Sequence, residues 1–258
     1  MMQMPTASRS AAPALIAACF ALAVPADVAA QPGAPAAAGE SLGTPLGFAL
    51  ALSLVALLPF AFLTLTAFVK ISTVLQIVRG AIGAQDIPSN SVILALSGAL
   101  TILAMAPVGS RIAQRAGPLF AEAGADTRAS VLATFEAARE PMREFLKANS
   151  SDRERTRFYE LARNARPDSE REQVGRDDLP VVVPAFVVTE LMEAFALGFA
   201  IFLPFLVIDL VVANVLLALG MQMMSPTHVS LPFKLLLFVA VDGWGLLAQA
   251  LVTGYAPG

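Results

Sequence analysis

One cysteine, one histidine and one tryptophan occur in 258 residues, and only 14% of the chain is charged. With Cys19 alone, no disulfide can close within the chain and no cysteine-rich metal site can form. His228 has no second histidine to complete a metal site or a triad and reads as a polar loop residue. Gly80-x-x-Gly83 is two glycines in a turn, not a phosphate loop. This inventory contains no catalytic motif, no cofactor fingerprint and no metal ligand set. A net charge of −3 and a pI near 5.2 offer no basic face for phosphates, which sets nucleic acid aside.

What the chain has is apolar sequence. It is 57% hydrophobic with a mean hydropathy of +0.70, outside the balance of a soluble domain, and reads as a membrane protein. Residues 109–180 hold 13 of the 17 Lys and Arg and 13 of the 20 Asp and Glu, which marks them as a polar, locally neutral segment outside the lipid. Arg9, the apolar run from Ala11 to Val24 and Val28-Ala29-Ala30 before Gln31 predict a signal peptide over residues 1–30, cut after Ala30. That run, about 14 residues, is short of the roughly 20 needed to span. Residues 31–45, rich in Pro, Gly and Ala, read as a flexible lead-in.

The remainder predicts an all-α integral membrane fold of two long, kinked helical hairpins with a small helical insertion. Residues 46–108 form the first hairpin. Leu46 to Val69 is long enough to cross a bilayer, Gly80, Gly83, Pro88 and Asn90 make the turn, and Ser91 to Val108 returns. Residues 109–180 show helical charge patterning at Thr127 to Ala148 and Ser151 to Ala165, with turn signals at Pro118, Pro141, Pro167 and Gly175. Phe135, Phe145, Leu146, Phe158, Tyr159 and Leu161 supply helix-spaced apolar contacts there. Residues 181–258 form the second hairpin. Val181 to Leu219 is too long for one span and is expected to bend or fold back near Pro184 and Pro204. A methionine loop, 220–232, separates it from Phe233 to Val252, which carries Trp244 as an interface anchor. A cleaved signal leaves the new N-terminus outside, and four segments then place residues 109–180 outside as well. The arginines of that segment weigh little against this, because the positive-inside rule is weak for loops beyond roughly 60 residues.

Lys70, Glu190, Glu193, Asp209, Lys234 and Asp242 sit within or against apolar segments, with Asn214 and Gln249. At roughly 2.5 to 3.5 kcal/mol for each central charge, lipid exposure of so many is excluded. They face protein, water or one another. Glu190 and Glu193, three apart, share a helix face, and Lys234 is the expected partner for one. Ion pairs that specify packing are the preferred reading over a proton relay. Gly220-Met221-Gln222-Met223-Met224-Ser225-Pro226 leaves two readings open: flexible thioethers filling gaps in a core, or lining a constriction that closes and reopens.

Wider stretches carry a resemblance. Val183-Pro184-Ala185-Phe186, Glu190-Leu191-x-Glu193-Ala194-Phe195, Phe202-Leu203-Pro204-Phe205-Leu206-Val207-Ile208-Asp209, Met224-Ser225-Pro226, Leu231-Pro232-Phe233-Lys234-Leu235 and Asp242-Gly243-Trp244 are similar to the export-gate subunits of type III secretion. These are called FliP in flagella and SctR, YscR or HrcR in injectisomes. Leu58-Pro59-Phe60, Phe68-x-Lys70, Arg79, Gly83 and Met105-Ala106-Pro107-Val108 extend the match, with Gly80, Asp86 and Ser89 departing from it. The wording from Glu190 to Trp244 is closer to injectisome members, whereas a cleavable signal is more typical of flagellar ones.

The resemblance implies a channel-forming subunit that passes unfolded proteins through the bacterial inner membrane. It implies five copies in a helical assembly with SctS/FliQ-like and SctT/FliR-like subunits, projecting toward the periplasm and serving the export apparatus, inner rod and needle proteins. It places Met221, Met223 and Met224 in a pore gasket, with Gln222 where many members have a further methionine. It pairs Glu190 with Lys234 between subunits and buries Lys70, Glu193, Asp209, Asn214 and Asp242 at such contacts. The competing readings are an ion-coupled transporter using Glu190, Glu193 and Asp209, and a scaffold whose pore other subunits line.

Overall fold

The computed structural model describes residues 56–57, 59–84, 88–123, 127–221 and 223–255, with the backbone alone for 119–123 and 127–134. The signal peptide, its cleavage at Ala30, the lead-in and Gln222 lie outside the described residues. Among those residues the secondary structure is entirely helical, as the sequence predicts. The elements are α1 (Pro59–Leu65), α2 (Phe68–Ile82), α3 (Asn90–Ala123), α4 (Thr127–Ala148), α5 (Asp152–Asn164), a 3-10 turn (Asp168–Gln173), α6 (Leu179–Ala218), α7 (Pro226–Ala240) and α8 (Gly243–Thr253). Two stretches, Asn90–Pro118 and Leu179–Ala218, are long and apolar enough to cross a membrane; counting the bent pairs α1/α2 and α7/α8 as spans makes four.

The apolar stretch Leu46 to Val69, expected as one segment of a kinked hairpin, bends sharply after Leu65, with α1 and α2 meeting at 78°. Thr66 serves the break: its hydroxyl donates to the Phe62 carbonyl at 2.6 Å and accepts the Phe68 N–H at 3.3 Å, satisfying backbone groups that the bend orphans. Beyond it, α2 is the centre of the bundle, with Ile71, Val74, Leu75, Val78, Ala81 and Ile82 all buried. It packs chiefly on α6 and α3, and its apolar residues join Phe205 of α6, Phe238 of α7 and Leu247 and Leu251 of α8 in one core.

α3 continues to Ala123, through Pro107 and Pro118, and so carries the first hairpin past the expected limit at Val108. Its buried hydroxyls stay satisfied within the helix, Ser97 donating to Ile93 O at 2.8 Å and Thr101 to Ser97 O at 2.7 Å. Pro118 and Pro141 are therefore not turns; each sits inside a helix at the loss of one N–H donor.

The polar segment folds as its charge pattern predicts. α4 spans the expected residues, and Ser151 caps α5 by accepting the Glu154 N–H at 3.2 Å. Phe145 and Leu146 are buried with Val108, Val182 and Phe186 in a second core, the Phe145 and Phe186 rings 5.7 Å apart. Phe135 and Leu161, expected among the contacts, are exposed on the outer faces of α4 and α5. The Ser151 N–H donates to Thr189 Oγ1 at 3.1 Å and fastens α5 to α6.

α6 neither folds back nor breaks; it is one helix of 40 residues with Pro184 and Pro204 inside it. At about 1.5 Å per residue it is roughly 60 Å long, twice the roughly 30 Å hydrocarbon thickness of a bilayer. Its close approach to α2 depends on Gly198, where a Cβ would lie 2.6 Å from the Ile77 side chain.

Candidate functional site

Two buried polar clusters and one exposed loop stand out from the apolar bundle. The first cluster centres on Lys70. On the buried face of α2 the Lys70 side chain is only 5% exposed, and carboxylates from α6 meet it there. Its Nζ lies 2.5 Å from Glu193 Oε2 and 3.5 Å from Glu190 Oε1. The Glu190 side chain is 1% exposed and that of Glu193 53%, so one carboxylate is sealed and the other reaches the surface. Tyr255, just beyond α8, closes the site. Its hydroxyl is hydrogen-bonded to Glu190 Oε2 and lies 3.1 Å from the Ala67 carbonyl, while Lys70 Nζ sits 4.6 Å from its ring centroid. Burial raises the Tyr255 phenol well above its ordinary pKa, which keeps the proton on it.

The second cluster ties three elements. Lys234 of α7 is buried and donates to Asp209 Oδ2 of α6 at 2.6 Å and to the carbonyl of Ala81, in the last turn of α2, at 3.2 Å. Ser230 donates to Asp209 Oδ1 at 2.5 Å. A lysine on the last-turn carbonyls of α2 also complements the negative end of that helix.

The pairing of Lys234 with Glu190 is not made within the chain. Glu190 and Asp209 are 19 residues apart on one unbroken helix, about 28 Å along its axis, and α7 meets α6 at the Asp209 end. Lys70 takes the glutamates and Lys234 takes Asp209, so a bridge between subunits would draw both residues from partners they already hold. Of the other polar residues expected to be buried, Asp209 is half-buried, whereas Glu193, Asn214 and Asp242 are exposed in the single chain. Asp242 adopts φ 50° at the break between α7 and α8, a left-handed conformation that aspartate tolerates better than most residues. Among the described residues no group of three or more His, Cys, Asp or Glu is placed to hold a metal.

The loop follows from how α6 ends. Gly220 has φ 74°; its N–H donates to Leu217 O at 3.0 Å and the next, of Met221, to Leu216 O at 2.9 Å. This is a Schellman motif, and it needs a residue without Cβ at that left-handed position. Pro226 starts α7, so Leu231-Pro232, expected in the loop, is helical and the loop is shorter by seven residues than 220–232. Met221, Met223 and Met224 all project from the surface, Met223 completely.

The sequence missed Tyr255, Ser230 and the Ala81 carbonyl as partners of these charges. A tyrosine just after an apolar segment was the one available signal, because only two occur in the chain.

The chain is similar in sequence to known proteins. The chain is 43% identical over 201 residues to the hypersensitivity response secretion protein HrcR of Ralstonia nicotianae, covering 78% of this chain and 93% of that protein. It is 42% identical over 204 residues to the Yop proteins translocation protein R of Yersinia pestis, covering 79% and 93%. It is 36% identical over 219 residues to the flagellar biosynthetic protein FliP of Bacillus subtilis, covering 84% and 94%. A family model described as FliP family matches residues 51–251, which take in every helix from α1 to α7 and most of α8. The chain belongs to the FliP family.

Proposed function

We propose that this protein is a subunit of a type III export apparatus in the bacterial inner membrane, and that it forms part of the channel through which unfolded proteins pass that membrane. Its relatives bear secretion, translocation and flagellar names over almost their whole length. Five copies would assemble helically with SctS/FliQ-like and SctT/FliR-like subunits and project toward the periplasm. The length of α6, about twice a bilayer's hydrocarbon core, favours such a projection over four simple crossings.

The observation that carries the channel reading is the exposure of the methionine loop. A core-filling role requires buried thioethers, and these three project from the surface at the tip of a hairpin. Repeated around a ring, soft unbranched side chains would exclude water and ions when packed together and yield to a passing polypeptide. Replacing Met221, Met223 and Met224 with alanine is expected to raise ion leak through the assembled complex. Unchanged conductance in a bilayer recording would remove the loop from the gate.

A further inference from the structure

α6 carries five polar side chains, and four of them find partners within the chain. Thr189 donates to Ala185 O at 2.7 Å, Glu190 and Glu193 meet Lys70, and Asp209 meets Lys234. Asn214 is the exception: its amide is exposed and hydrogen-bonds to none of the described residues. Its surroundings are patterned. Leu203, Val207, Leu210, Asn214 and Leu217 follow one another at steps of four, three, four and three, the spacing of a coiled-coil seam on one face of a helix. The four apolar members are 43 to 59% exposed, so the single chain leaves this seam open.

Neither lipid nor water suits such a face. In lipid the amide has no partner, and in water four large apolar side chains lie uncovered. A second helix with the same pattern answers both needs. An amide donates and accepts at once and is therefore complementary to another of its own kind, which a carboxylate or an ammonium is not. That selects a copy of this chain as the occupant. The position agrees, because α6 ends four residues beyond Asn214, about 6 Å along its axis, and the methionine loop begins at Gly220. Loops that meet around a channel bring the last turns of α6 together as well, so the inference rests on the channel reading and names the contact beneath the loop.

We propose that the face of α6 from Leu203 to Leu217 packs against the same face of neighbouring copies, with the N–H of each Asn214 donating to the amide carbonyl of the next copy's Asn214. The apolar positions supply adhesion and the amide supplies register. A copy displaced by one turn sets an amide against an apolar side chain and leaves it unpaired, which is how a single asparagine in a seam selects one alignment. The chain of amides thereby fixes the level at which each methionine loop stands.

The test uses the full-length protein with Cys19→Ala, so that an introduced thiol is the only one, expressed with its partner subunits and purified in detergent. Leu210→Cys and Leu217→Cys leave Asn214 in place. Each is expected to link two copies of this chain on mild oxidation or with a short bifunctional thiol reagent, several-fold more than Leu236→Cys on the exposed side of α7. Asn214→Leu is expected to keep the copies associated but to spread the native mass over several copy numbers and weaken both links, and Asn214→Gln, which keeps the amide, should restore part of each. Links no stronger than that of Leu236→Cys, links to a partner subunit in place of this chain, or an Asn214→Leu complex indistinguishable from the unaltered one would each overturn the proposal. Raised conductance in the methionine variants without these links would leave the gate and remove this contact; links with unchanged conductance would leave the contact and remove the gate.

Discussion

Gly198 shows how much one missing methyl group decides. It sits where α6 crosses α2, and an added Cβ would meet not only the flexible tip of Ile77 but also its Cγ2 and Cβ, at 2.9 and 3.1 Å. The side chain cannot simply swing away. Gly198→Ala is expected to destabilise the folded chain by about 1 to 3 kcal/mol, the usual cost of overpacking, and Ile77→Ala in the same chain should restore part of it. Thermal unfolding in detergent reads both, and a double variant no more stable than the single would show that Gly198 serves something other than this crossing. The sequence marks Gly198 as a glycine in an apolar run; what lies opposite it 121 positions earlier is a property of the packing. The same holds for Lys70. Its conflict with lipid was legible from hydropathy, but its choice of Glu193 over a solvent-facing position depends on where α2 lies against α6.

At the level of elements, local chemistry was read well and long-range geometry less so. α4 and α5 appear where the charge pattern and the Ser151 cap place them, because those signals act within a few residues. The prolines misled in three helices. Pro118, Pro141 and Pro204 each remove one hydrogen bond, yet the helix continues because its neighbours hold both halves in place. The continuity of α6 has a consequence for the charges, since it separates Glu190 from Asp209, and α7 meets the latter. The Asp209–Lys234 pair then joins α6, α7 and the end of α2 at the base of the methionine hairpin. Asp209→Leu leaves the buried Lys234 without its anion and is expected to cost up to about 3 to 5 kcal/mol, less to the extent that Asp209 is partly solvated. Adding Lys234→Met removes the orphaned charge and should recover most of the loss in a denaturant titration; a further loss instead would mean that the lysine acts chiefly through Ala81.

For the molecule as a whole, the surface is the main finding. Met192, Phe195, Phe199, Val207, Leu210 and Val211 project from α6, and Phe233, Leu236 and Val239 from α7, far more apolar area than a soluble monomer leaves uncovered. Lipid covers some of it. The charges and amides on the same helices, Glu193 and Asn214 among them, are exposed in the single chain and are poorly suited to lipid. Contacts with other subunits would account for both facts together. Native mass determination of the detergent-purified protein, expressed with its partner subunits, is expected to give a species of several copies. A chain that stays monomeric at every concentration would count against the channel reading.

The contact between Tyr255 and Ala67 joins residues 188 positions apart. It cannot form while the ribosome is still making α6 or α7, so this tie is completed only after α8 has emerged, and contacts of such separation are slow to close. The segment after α8 thus reaches Ala67 only once every helix from α2 to α8 has been made, and its docking marks the closing of the helical bundle.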